Sequence, residues 1–234
     1  MQIAFISDIH GNYDALKAVL KNIKKLKINK IYCLGDIVNY YYEAHKCINI
    51  FIKEKIESIK GNHENILFKI LKDKNKINYY SKLYGNSINI NLKKLKKKHI
   101  NFLKNLKNNK IIKINDEKFF LAHGAPWKSD FYFYPNSKKK WKKKISEYNY
   151  NKIILGHTHY PMKINLGPNK MVLNPGSVGQ PRNGKCNASW LRLDVDAMKF
   201  SHMETKYDKT RIKKQISIYD SNNMLLLKYF NKCK

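Results

Sequence analysis

Acidic residues are scarce in this chain: 17 Asp and Glu stand against 47 Lys and Arg, a formal net charge of +30 over 234 residues. Cysteine is scarcer still. The four, Cys33, Cys47, Cys186 and Cys233, include no C-x-x-C pair, which argues against a thiolate zinc site. Cys33 lies in an apolar run and reads as core, and reduced thiols are the expectation throughout. No apolar run approaches the ~20 residues of a membrane span. The first residues show no basic segment ahead of the apolar run and no small-residue cleavage site, so they read as a strand and not as a signal peptide. A cytoplasmic setting with no membrane partner is the expectation. Hydrophobic content of 43% with 12% aromatics excludes a disordered chain.

The positive charge admits two readings. One is a nucleic-acid or anionic-membrane partner. The other is codon usage, since Lys, Asn and Ile dominate and all have codons made only of A and T. The densest runs favour the second. In "SKKKWKKKISEY", Trp141, Ile145 and Tyr148 recur at i, i+4, i+7, which leaves the lysines on a solvated helix face. In "NLKKLKKKHINFLKNL", Leu92, Leu95, Phe102, Leu103 and Leu106 form a similar stripe. Specific nucleic-acid binding is therefore not expected.

Along the chain, Ile3 to Ser7 reads as a strand and a helix follows from Tyr13. "KIYCLGD" and "IESIKGNHE" are further strands around a helix at 43–55. Residues 64–110 hold no strand of comparable quality and read as two or three helices, an insert or cap on one domain spanning 1–234. Strands resume near Phe119, a helix covers about 138–148, and "KIILGHTHYP" and "MVLNPGSVGQP" follow. "SWLRLDV" and "KFSHMETKY" read as antiparallel strands. The last ~25 residues read as a helix with Ile216, Leu225, Leu226 and Phe230 apolar. Strands alternating with helices predict an α/β fold with parallel pairing.

Glycine is also sparse, ten in all, yet four stand where an apolar strand runs out beside ligand-type residues. Five such places occur: Asp8-Ile9-His10, Gly35-Asp36, Gly61-Asn62-His63-Glu64, His123-Gly124 and Gly156-His157-Thr158-His159. Of eight histidines, five lie in these segments; His45, His99 and His202 do not. Each segment alone is ordinary turn or cap chemistry. Together they place carboxylates, an amide and imidazoles at the strand carboxyl ends, where open α/β sheets bind ligands. A thiolate-free Asp/Asn/His set suits transition metals. It exceeds the needs of one ion, which points to a pair of metals acting on a phosphate ester.

In this order, "DIHGN", "GD", "GNHE", "HG" and "GHTH" resemble the calcineurin-like metallophosphoesterases over nearly the whole chain. "GDIVNY", "GNHE", "GHTHYP" and "NPGSVGQPRNG" look closer still to the small prokaryotic YfcE-like group. The resemblance implies a four-layer α/β/β/α sandwich with a small helical insert. It implies a phosphodiesterase that activates a bridging hydroxide for in-line attack on phosphorus; a phosphomonoesterase or dinucleoside polyphosphate hydrolase is the alternative. A non-catalytic basic nucleic-acid-binding protein on the same fold is the more distant one. The implied cofactor is two divalent transition-metal ions, Mn²⁺ foremost, with Fe, Zn²⁺, Ni²⁺ or Co²⁺ as alternatives. Asp8, His10 and His159 would hold the first metal, Asp36 would bridge, and Asn62, His123 and His157 would complete the second. His63 would serve the leaving group. Asn12, Asn39 and Ser177 are candidate contacts to a small phosphate-ester substrate. The oligomeric state is left open.

Two features depart from relatives. Protein serine/threonine phosphatases continue the second motif to Asp-Arg-Gly, whereas here Gly35-Asp36 runs on to Asn39, with no phosphate-gripping arginine and an amide where an aspartate would orient the histidine. Tyr40-Tyr41-Tyr42 replaces a frequent Gly-Pro, and those rings are expected to narrow the pocket mouth.

Overall fold

The structure, a computed structural model, describes residues 1–223 together with Leu226 and Tyr229. Two five-stranded sheets organise it. In the first, β1 (Gln2–Ile6), β2 (Lys30–Cys33) and β3 (Glu57–Ser58) are parallel. β9 (Ala188–Asp194) runs antiparallel to β1 and β10 (Lys199–Thr205) antiparallel to β9, for the order β10-β9-β1-β2-β3. The second sheet has the order β4-β5-β6-β8-β7, from β4 (Asn109–Ile114), β5 (Glu117–Ala122), β6 (Lys152–Leu155), β7 (Pro161–Gly167) and β8 (Lys170–Pro175). Within it β5, β6 and β8 are parallel.

Strand alternation sets the layers. Ile3 and Phe5 of β1 face inward and pack with Phe119, Leu121, Ile154 and Leu173 of the second sheet. Their neighbours Ala4 and Ile6 face the other way, onto Leu16 and Val19 of α1 (Tyr13–Lys25) and Cys47 and Phe51 of α2 (Ala44–Lys53). On the second sheet Phe120, Ile153, Leu155 and Val172 turn outward to Ile145 of α7 (Lys139–Ser146). Helix, sheet, sheet, helix is thus the α/β/β/α order. Each buried Leu, Ile or Phe stabilises the stack by about 1.5–3 kcal/mol.

Between β3 and β4 come four helices, not two or three: α3 (Asn62–Lys72), α4 (Lys76–Tyr84), α5 (Ser87–Lys94) and α6 (Lys97–Lys104). The continuous leucine stripe breaks at Leu95, whose backbone is extended. Leu92, Leu95, Phe102 and Leu106 nevertheless pack against the α1–α2 core around the buried Leu103. Two strands were not anticipated. In β4, Ile112 and Ile114 turn inward while the intervening lysine and the 55% exposed Ile111 mask the alternation. β7 carries one buried side chain, Met162, among lysine and asparagine.

After β10 comes α8 (Thr210–Tyr219), with Ile212 and Ile216 buried beside Tyr41, Tyr42 and Leu226. Leu225, Phe230 and Cys233 lie outside the described residues. Cys33 and Cys47 are free and buried, as expected of core thiols. Cys186, half-buried in the loop before β9, is disulfide-bonded, contrary to the expectation of reduced thiols throughout. Among the described residues no helix is long and apolar enough to cross a membrane.

Candidate metal centre

All five strand-end segments converge at one edge of the sandwich. Backbone hydrogen bonds lace them together: Asp8 N–H to Gly35 O (3.1 Å), His10 N–H to Asp36 O (2.9 Å), Gly156 N–H to His123 O (2.6 Å) and Gly179 N–H to Asp8 O (2.9 Å). The lacing holds backbone in a costly region. Asp8, His10, Asp36, Asn39, Tyr40, His157 and His159 all have φ between +50° and +67°. Such conformations cost on the order of 1–3 kcal/mol each and persist only where surroundings over-determine them. Two glycines allow the β2 and β3 ends to touch. Gly35 has φ +91°, and a Cβ there would sit 2.5 Å from Gly61 N, while a Cβ on Gly61 would collide with Asp36 Oδ1.

Glu64 fastens this corner. Its carboxylate accepts the N–H groups of Asp36 (2.9 Å), Ile37 (2.7 Å), Val38 (3.2 Å) and Gly61 (2.7 Å). The last of these caps α3 from its third position. Asp36 Oδ1 in turn accepts from His63 N–H at 2.8 Å.

The donor atoms form three groups whose members lie within 4.8 Å of one another: Asp8, His10 and His159; His10, Asp36 and His63; Asp36, His123 and His157. Within the first, His10 Nε2 is 3.0 Å from His159 Nε2, and Asp8 Oδ1 is 3.3 Å from His159 Nε2 and 3.8 Å from His10 Nε2. Asp36 Oδ2 lies between groups, 3.0 Å from His123 Nε2 and 3.8 Å from His10 Nε2. Asn62 Oδ1 is 2.9 Å from His123 Nε2. Donors bound at about 2.0–2.2 Å to one ion are spaced about 3 Å apart, so these separations suit divalent cations.

The imidazoles are pre-aimed. His10, His123 and His159 set Nδ1 against the carbonyls of Val38 (3.1 Å), Leu34 (2.6 Å) and Gln180 (2.8 Å). That leaves Nε2 facing inward as a lone-pair donor, the orientation metal-binding histidines take from their outer shell. His157 Nε2 and Asp8 Oδ1 are buried with no hydrogen-bond partner, an unsatisfied state that a bound cation would relieve.

Electrostatics concur. Burial would raise the Asp8 and Asp36 carboxyls, but the surrounding histidines, His159 at Asp8 and His123 at Asp36, hold both below the ordinary range. Burial pushes His157 and His63 down to about 4. His123, beside Asp36, is pushed up to about 10 despite its burial. Glu64 is raised to about 7 by burial and by Asp36.

Three expected substrate contacts fare differently. Asn39 reaches the site: its Nδ2 lies 3.2 Å from His63 Nδ1 and the same amide donates to His63 O at 3.3 Å. Asn12 instead caps α1 by accepting from Ala15 N–H (3.2 Å) and donates to Gly179 O (2.9 Å) and Tyr207 Oη (3.1 Å). Ser177 is fully buried, donating to Asp8 O (2.7 Å) and accepting from Gln180 N–H (2.8 Å). Neither has a polar group left for a substrate, because both staple the 176–180 loop to the β1 end. His99 and His202 bond Asn49 and the Asn174 carbonyl, outside the three donor groups.

The tyrosine triplet splits. Tyr40 stands over the site, its ring 4.7 Å from that of His10 and 5.1 Å from that of His63. Tyr41 and Tyr42 are fully buried away from it, against Ile212 and Ile216. The mouth is narrowed by rings from elsewhere, Tyr84 (4.6 Å from His63) and Tyr132 (4.1 Å from His157). Sequence reasoning missed these two. It also missed the role of Glu64, for which a glutamate three residues after Gly61 was the available signal.

Comparison with known proteins agrees with this geometry. Residues 1–198 match the family model described as a calcineurin-like phosphoesterase superfamily domain. An uncharacterized protein of Methanocaldococcus jannaschii is 33% identical over 223 residues, 88% of each chain. The symmetrical bis(5'-nucleosyl)-tetraphosphatase of Buchnera aphidicola is 31% identical over 135 residues, 53% of this chain and 45% of its own. A hypothetical protein from Pyrococcus horikoshii shares the fold with a TM-score of 0.81 at 24% identity, covering 97% of this chain and 96% of that one. Strand-end donors in family order, on the family's two-sheet frame and under its sequence model, make this chain a member of the calcineurin-like phosphoesterase superfamily.

Proposed function

We propose that this chain is a two-metal phosphodiesterase, a single domain over 1–234 capped by the helices between β3 and β4 and working in the cytoplasm. The observation that carries the reading is the position of Asp36, whose Oδ2 lies 3.0 Å from His123 Nε2 and 3.8 Å from His10 Nε2, between the histidines assigned to the two cations. Asp8, His10 and His159 would hold one cation, Asn62, His123 and His157 the other, and Asp36 both. A set of imidazoles, carboxylates and one amide with no thiolate suits Mn²⁺ better than Mg²⁺. When bound, such cations act as Lewis acids on phosphate oxygens and make water a nucleophile at neutral pH.

The chain's own groups do the rest. Carbonyl partners hold Nε2 of His10, His123 and His159 toward the centre, so little reorganisation accompanies reaction. The rings of Tyr40, Tyr84 and Tyr132 cover the donors and limit water. His63 contacts the departing oxygen. Its Nδ1 faces the Asn39 amide, which as a donor there leaves the proton on Nε2, pointed at the site; this tautomer is assigned from that contact. With its pKa near 4, His63 is neutral at pH 7. It serves as a hydrogen-bond donor there and as a full acid at lower pH.

The tetraphosphatase relative favours a second reading, hydrolysis of dinucleoside polyphosphates. A nucleic-acid-binding protein without activity is disfavoured by the complete donor set. Activity on bis(p-nitrophenyl) phosphate, p-nitrophenyl phosphate and diadenosine tetraphosphate, measured after chelation and after Mn²⁺ or Mg²⁺ addition, tests the proposal. Diester hydrolysis restored best by Mn²⁺ supports it; full activity in excess chelator refutes it.

A further inference from the structure

A cavity of about 250 Å³ opens beside His63, lined by Tyr40, Leu83, Tyr84, Gln180, Arg182 and Asn223 among others. Its inner wall is the wall of the metal centre, since Tyr40 and Tyr84 pack their rings against His63 at 5.1 and 4.6 Å. Tyr40 and Tyr84 meet each other edge-on at 5.4 Å. The wall of this space is thus the wall that His63 faces. The cavity is smaller than the ~300–1,000 Å³ of sites that enclose a whole drug-sized ligand, so it encloses one flat ring system and leaves the rest of a ligand toward the opening.

Arg182 gives the cavity its charge. Among the described residues it forms no ion pair; its Nη2 donates only at 3.4 Å to Tyr40 Oη and at 3.4 Å to Gln180 Oε1, with Tyr132 a further side-chain partner. All three are neutral. Its backbone N–H donates to His159 O at 3.1 Å, which ties the residue to the donor cluster. The carboxylate at the α8 end, Asp220, is occupied by Tyr42 Oη (2.8 Å) and Asn86 N–H (2.8 Å). A guanidinium carries five donors in a fork matched to phosphate, and here most of them lack a strong partner.

We infer that this cavity reads the leaving group and that its chemistry selects a nucleotide: a flat ring against Tyr84 and Tyr40, and a phosphate of its own on Arg182. This rests on the phosphoesterase reading. In hydrolysis of such a substrate the bond between the attacked phosphorus and the bridging oxygen breaks. A water oxygen takes that place at phosphorus and gives up its proton to solvent, and the electron pair departs on the phosphate of the nucleotide. Neither a nucleoside nor a simple alcohol would use Arg182.

The test compares diadenosine monophosphate, whose leaving group is adenosine, with diadenosine diphosphate, whose leaving group is AMP. Bis(p-nitrophenyl) phosphate reports that the Mn²⁺-loaded protein is active. Effects of substitution are taken as ratios to wild type on the same substrate, which cancels the intrinsic reactivity of the two leaving groups. Arg182→Met should lower kcat/KM on the diphosphate about 10- to 100-fold and on the monophosphate by no more than a few-fold. Arg182→Lys should recover part of the difference. Tyr84→Leu should lower both adenosine substrates on the order of 5- to 100-fold and bis(p-nitrophenyl) phosphate less. Arg182 is exposed, so its loss leaves folding intact. Equal losses from Arg182→Met on both adenosine substrates, with bis(p-nitrophenyl) phosphate still turned over, would overturn the inference and leave the phosphoesterase reading standing. No turnover of any of the three by metal-loaded wild type would remove both.

Discussion

The floor of the site and the wall above it are built by opposite means. The floor is strand ends. Asp8, His10, Asp36, His123, His157 and His159 are all at most 5% exposed, on backbone locked by cross-strand hydrogen bonds. The wall is helix and loop. Tyr84 ends α4, a helix with no buried residue and no side-chain cap, and Tyr132 lies in irregular chain with 48% of its surface exposed. Metal chemistry tolerates little positional error, and the proposed ligands stand on the rigid element. Substrate reading tolerates adjustment, and the residues proposed for it stand on helix end and loop.

Substitutions on the two sides should therefore differ in kind. The largest effect is expected from Asp36→Asn, which weakens the donor proposed to touch both cations. Metal content should fall below two per chain and activity by more than the roughly 10- to 100-fold of outer-shell losses. Elemental analysis after gel filtration checks it. His63→Ala stands at the boundary. It should keep its metals and, at pH 7 where the neutral imidazole gives a hydrogen bond, lose about 10- to 100-fold on a poor, nucleoside-type leaving group, with a smaller loss on a p-nitrophenyl ester. An equal loss on both would mean that His63 only positions phosphate.

Glu64→Gln probes the fastening of the floor. An amide offers one acceptor oxygen to four N–H groups, so metal affinity should fall about 10- to 100-fold while Asp36 stays in place; competition with a metal-sensitive dye reads it out. The floor should also respond to acid. His63 and His157 are depressed to about 4 in the folded chain against an ordinary 6.5. Between those values His63, His157 and the likewise depressed His10 bind protons only in the unfolded chain, which outweighs the single proton the raised Glu64 holds in the folded one, so the chelated protein should lose stability as pH falls from 6.5 toward 4. Denaturant midpoints across that range check the sign; constant midpoints would contradict it. The smallest effect is expected far from both regions. Lys139→Gln with Lys143→Gln on α7 should leave stability within about 0.5 kcal/mol and activity unchanged. Any nucleic-acid affinity should be sequence-independent and fade near physiological salt.

The same contrast explains what could be read before the structure was seen. Floor residues announce themselves because a strand must end in a polar, glycine-bearing turn to carry them, so Asp8, Asp36 and the Gly156-His157-Thr158-His159 segment stand out against apolar runs. Alternation within β1 and β5 likewise gave away two buried faces. β4 and β7 stayed hidden because lysine and asparagine fill their outward positions. Tyr84, Tyr132 and Arg182 carried no such signal: a tyrosine at a helix end looks the same whether it faces a metal site or solvent. Asn12 and Ser177 misled for the converse reason. Their residue types suit phosphate binding, but burial commits them to the backbone.

The central claim is that two cations sit on the strand ends with Asp36 between them. Crystals of Mn²⁺-loaded protein, with anomalous scattering recorded at the manganese edge, test it directly. The account predicts two peaks per chain, one among Asp8, His10 and His159 and one among Asn62, His123 and His157, each in contact with the Asp36 carboxylate. A single peak, or peaks away from Asp36, would contradict it.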